Sequence, residues 1–97
     1  MDEGKLREQE HRGIRAKALL ENDLLLGAFE SIETALLDAW RNSNASETDG
    51  REDAWRSIQL LKNLRECLDR HVITGKDAGK ELLRIQDKSK LRKVLNV

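Results

Sequence analysis

The chain has 97 residues with equal numbers of basic and acidic side chains, 38% hydrophobic and 37% charged residues, and three aromatics, Phe29, Trp40 and Trp55. One domain is the most this length supports, and the neutral balance gives no global pull toward nucleic acid or a membrane surface. A lone cysteine, Cys67, allows no internal disulfide, and no apolar run approaches the length of a membrane span.

The absence of proline leaves long helices unopposed, and β-branched residues are too scattered to build strands. The start of the chain, MDEGKLREQEHR, is charged and lacks the apolar core of a secretory signal, so an intracellular protein is expected. Residues 3–21 predict a first helix with a thin stripe of Leu6, Ile14, Ala18 and Leu19. Gly13 weakens its middle by about 1 kcal/mol relative to alanine. Such a helix needs a surface to dock on.

Asn22 has the side chain of an N-cap. From Asp23 to about Ser43, Leu25, Phe29, Ile32, Leu36 and Ala39 or Trp40 recur at helical spacing. Leu24, Leu26, Ala28 and Leu37 widen that stripe beyond what one partner helix covers. The run Asn42–Ser46 is a turn of small polar residues that compete with helix for backbone bonds. Ser46 then caps a helix whose first turn is acidic, and Ala54, Ile58, Leu61, Leu64 or Arg65, Leu68 and Val72 mark its inner face. Gly75 is placed to end it. Residues 76–97 predict a last helix or two short ones, with Ala78, Leu82 and Ile85 on one stripe and Leu91, Val94 and Leu95 on another.

The fold expected is all-α: an antiparallel helical hairpin over 23–74, extended by N- and C-terminal helices into a small bundle within one domain, 1–97. Segments 1–21 and 76–97 are expected to be mobile alone or docked on a partner. A short loop between long amphipathic helices makes them antiparallel neighbours. Trp40 and Trp55 would share the layer next to the turn and cover one another, with ligand stacking the competing role.

Chemistry-bearing groups are sparse. Cys67 and His71 stand four apart on one helix face, but two ligands do not make a zinc site, and no base and oxyanion donor accompany the thiol. The carboxylates fall beside basic partners, as in Glu52–Arg56 and Glu66–Arg70, the spacing of surface ion pairs. No phosphate-binding glycine loop is present. The reading is therefore no enzyme, no catalytic or metal residues and no cofactor.

Charge is uneven along the chain. Residues 22–43 hold one basic group against four acidic, and residues 75–97 hold seven basic against three acidic. Lys76, Lys80, Arg84, Lys88, Lys90, Arg92 and Lys93 are thus candidate phosphate contacts for a DNA-associated protein, although no aromatics interleave them. Protein association has the better support. Its expected surface is the outer face of the second helix with the first helix: Ile14, Leu24, Leu26 and Leu37. A second copy or another protein is the expected partner; neither a membrane nor a small-molecule substrate is.

The segments Asn22-Asp23-Leu24-Leu25, Ala28-Phe29, Ile32-Glu33 and Ala39-Trp40, then Arg51-Glu52-Asp53-Ala54-Trp55 and Gly75-Lys76, resemble small helical proteins of tailed bacteriophages and prophages over about residues 20–83. The resemblance implies a virion-assembly, packaging or host-interaction role, in the host cytoplasm or the virion. It implies no defined activity.

Overall fold

A computed structural model describes residues 2–95. The chain is all-α, with three helices and no strand among the described residues: α1 (Glu3–Leu20), α2 (Asp23–Arg41) and α3 (Thr48–Leu95). Two compact units are present. Unit 1 combines residues 1–18 with 69–97, and unit 2 is Leu19–Leu68. α1 thus pairs with the C-terminal part of α3, and α2 with its N-terminal part.

The largest departure from expectation is α3, one helix of 48 residues. Gly75 does not end it, and no break occurs at Asp87-Lys88-Ser89. A glycine that terminates a helix takes positive φ, and no described glycine does. Gly75 is instead buried inside the helix, facing Gly13 of α1. A Cβ added at Gly13 would lie 2.8 Å from the Gly75 Cα and 2.8 Å from the His71 carbonyl oxygen. One added at Gly75 would lie 2.7 Å from the Gly13 Cα. Two backbones thus touch directly, as only glycine permits.

This crossing also rotates the face of α1. Its buried residues are Leu6, Gly13 and Ala16, whereas Ile14, Ala18 and Leu19 of the expected stripe are exposed. Small residues form the contact here, so a search for large apolar side chains misses it. Further along unit 1, Leu6 packs with Ala78 and Leu82, with Ile85 against them. Leu6 and Gly13 lie against Leu82 and Gly75 respectively, so α1 runs antiparallel to this part of α3. Residues 3–18 thus pack on α3 within unit 1.

In unit 2, Asn22 caps α2 as its chemistry predicts, its side-chain oxygen accepting from the Leu25 N–H at 3.0 Å. The helix ends at Arg41, two residues before the expected limit. There the Asn42 N–H donates to the Asp38 carbonyl at 3.0 Å, and the Ser43 hydroxyl to the Trp40 carbonyl at 2.6 Å. The loop is closed by its own bonds, Glu47 N–H to the Asn44 carbonyl at 2.9 Å and the Asn44 amide to Glu47 Oε1 at 3.3 Å. Glu47, rather than Ser46, directly precedes α3, and its carbonyl accepts from the Arg51 N–H.

Phe29 is the buried anchor of α2, 6% exposed. The Arg65 guanidinium lies 5.6 Å from its ring centre, and that of Arg51 lies 5.1 Å from the Trp40 ring. Stacked cations of this kind contribute about 0.5–1 kcal/mol each where exposed. The expected inner face of α3 is recovered at Ala54, Ile58, Leu61, Leu68 and Val72, with Arg65 turned inward and Leu64 exposed.

Candidate binding surfaces

Two concave surfaces stand out, one in each unit. The first lies at the loop end of unit 2, a cleft of about 490 Å³. Trp40 and Trp55 both line it, with Ala45 and Thr48 between them and Arg51 and Arg56 at its edges. The tryptophans share the layer beside the turn, as their spacing predicts. They do not seal it: Trp40 is 41% and Trp55 58% exposed. A covered end layer is therefore replaced by an open aromatic cleft. Arg56 is drawn toward Glu52 at 3.5 Å, while Arg51 is stacked on Trp40. Tryptophan and arginine are the residue types that dominate binding energy at protein interfaces.

The second is a groove of about 470 Å³ along the α1–α3 crossing in unit 1. Its floor is Gly13, Gly75 and Gly79, and its walls are Ile14, Val72 and Leu83. Lys17, Lys76 and Lys80 rim it, with Glu10 the one acidic lining residue. From the sequence alone Gly13 reads as a weak point and Gly75 as a helix end. The signal available was the small-residue cluster Gly75, Ala78, Gly79.

The expected interaction residues separate. Leu24 is 85% and Ile14 62% exposed. Leu26 and Leu37 are half-buried on the side of α2 that carries Phe29, and Ile32 is the exposed residue instead. The outer side of α2 is a shallow depression lined by small and acidic residues, Gly27, Glu30, Ser31, Thr34, Ala35 and Asp38.

All seven basic candidates, Lys76, Lys80, Arg84, Lys88, Lys90, Arg92 and Lys93, are exposed along the C-terminal half of α3. Arg84 is held by Glu81, its Nε donating at 3.0 Å. That hydrogen bond holds the Glu81 carboxyl below the usual glutamate range and raises Arg84. Cys67 is exposed and His71 half-buried. Among the described residues no three His, Cys, Asp or Glu side chains are grouped to hold a metal, and no helix is long and apolar enough to cross a membrane. Comparison with known protein families, curated proteins and solved structures finds no match to this chain.

Proposed function

We propose that this chain is a non-enzymatic helical protein that acts by binding other protein chains, its own copies first among them. One observation carries the reading. Among the described residues the buried apolar set is Leu6, Ala16, Phe29, Ala54, Ala78 and Leu82, half of it alanine, while thirteen large hydrophobic side chains are exposed. Helices so sparsely covered gain most when another chain supplies the missing surface. In this reading the small bundle that the sequence suggests is completed between copies, since symmetric self-association is the common solution for such chains. The resemblance to phage proteins supports a role in virion assembly or in contact with a host protein, in the infected cell or in the virion.

Size-exclusion chromatography with light scattering tests the proposal. The expected result is a mass above that of one chain that rises with concentration. A strict monomer at the highest attainable concentration, binding no dye for exposed apolar surface, would refute it.

A second reading, DNA association, is favoured by the exposure of the C-terminal basic residues on one helix. It predicts binding whose affinity falls steeply with salt and whose salt slope shrinks when residues 86–97 are removed. An unchanged slope would sink it.

A further inference from the structure

Three uncovered surfaces compete to be the contact between copies, and their charges differ. The tryptophan cleft is edged by Arg51 and Arg56. The last turns of α3, with exposed Leu91, Val94 and Leu95, carry Lys90, Arg92 and Lys93. The outer side of α2 presents Glu30 and Asp38 beside Gly27, Ser31 and Ala35, with Leu24 standing clear one turn before Ala28. Of the three, only this side of α2 is acidic. The groove of unit 1 has the opposite sign along α3, at Lys76 and Lys80. Its walls are the apolar Ile14, Val72 and Leu83, and the outer side of α2 is built from small residues that let a helix approach closely. Ile14 and Leu83, both more than half exposed, would flank the visitor.

We propose that the lysine-rimmed groove of unit 1 receives the outer, acidic side of α2 from a second copy of this chain. The inference rests on the self-association reading above and deepens it. Leu24 supplies an apolar contact at the groove walls. Glu30 and Asp38 bring negative charge to the rim that carries Lys76 and Lys80. Complementary charge fixes which surfaces meet and is weakened by salt, because screening lengths fall from about 10 Å at 0.1 M to about 3 Å at 1 M.

A charge-swap experiment on the full chain tests this. Two double variants are made, K76E/K80E and E30K/D38K, with circular dichroism confirming that each keeps its helix content. All four side chains are exposed. Each variant alone is expected to self-associate at least about tenfold more weakly than the wild type. An equimolar mixture is expected to recover association, because the reversed groove of one meets the reversed α2 of the other, and the untouched surfaces also match. Association unchanged in both variants, or a mixture no tighter than either alone, overturns the inference and leaves the self-association reading standing. A wild type that stays monomeric overturns both.

Discussion

The two units hold their helices together by opposite means. In unit 1, α1 and α3 meet backbone to backbone at Gly13 and Gly75, with Ala16 and Ala78 continuing the small surface. In unit 2, Phe29 fills the space between α2 and α3, and arginines stack on Phe29 and Trp40. The comparison teaches that apolar volume is not the sole route to helix pairing in a chain this charged. One contact gains by removing side chains and the other by adding one. They should therefore fail differently, the first when atoms are added and the second when atoms are lost.

The largest expected effect is Phe29→Ala. Loss of the one buried aromatic should destabilise unit 2 by about 3–5 kcal/mol, read by chemical denaturation and by faster amide exchange in α2. Trp40→Ala should cost distinctly less, because Trp40 is partly exposed already. Equal losses would show that the cleft is a core. Next is Gly13→Ala. Alanine ordinarily favours a helix over glycine by about 1 kcal/mol, but here its Cβ meets immovable backbone at 2.8 Å. Overpacking of this sort costs about 1–3 kcal/mol, so α1 should loosen while α2 exchange stays unchanged. A stabilised Gly13→Ala protein would break the comparison.

Gly27→Ala sharpens it from the other side. Nothing lies within 4 Å of a Cβ there, so a gain of about 0.5–1 kcal/mol is expected in thermal melts. The smallest effect is that of Glu81. Its carboxyl is held below the ordinary glutamate range by Arg84. Its contribution is present above that range and is lost as pH falls through the lowered value of the folded state. Glu81→Gln should lower stability slightly at neutral pH, leave it unchanged at low pH, and so flatten the acid limb of the stability curve.

What the sequence made legible was local. Asn22 announces α2 because an N-cap needs only its own next turn, and Ser43-Asn44 marks the loop because those side chains bond their own neighbours. The inner face of α3 could be read from spacing alone. Gly75 could not, because its meaning depends on Gly13, far away in the chain. By itself it is a helix terminator; against a second glycine it is a contact. The same holds for the binding surfaces. The lysines of the C-terminal half and the acidity of residues 22–43 were visible in the residue order. The groove that gathers Lys17 with Lys76 and Lys80 required knowing where α1 lies. Ile32 and Leu26 exchanged roles for a related reason, since a stripe that is apolar over a wide arc does not say which edge will face inward.

The glycine crossing also bears on the order of folding. More than three-fifths of the chain separates Gly13 from Gly75, whereas Trp40 and Arg51 are joined by one short loop. Closing the longer span costs more chain entropy before any contact repays it. The pairing of α2 with α3 is therefore the natural early event, and the seating of α1 a late one. Substitutions at Gly13 should then act on the unfolding rate while leaving the folding rate nearly untouched.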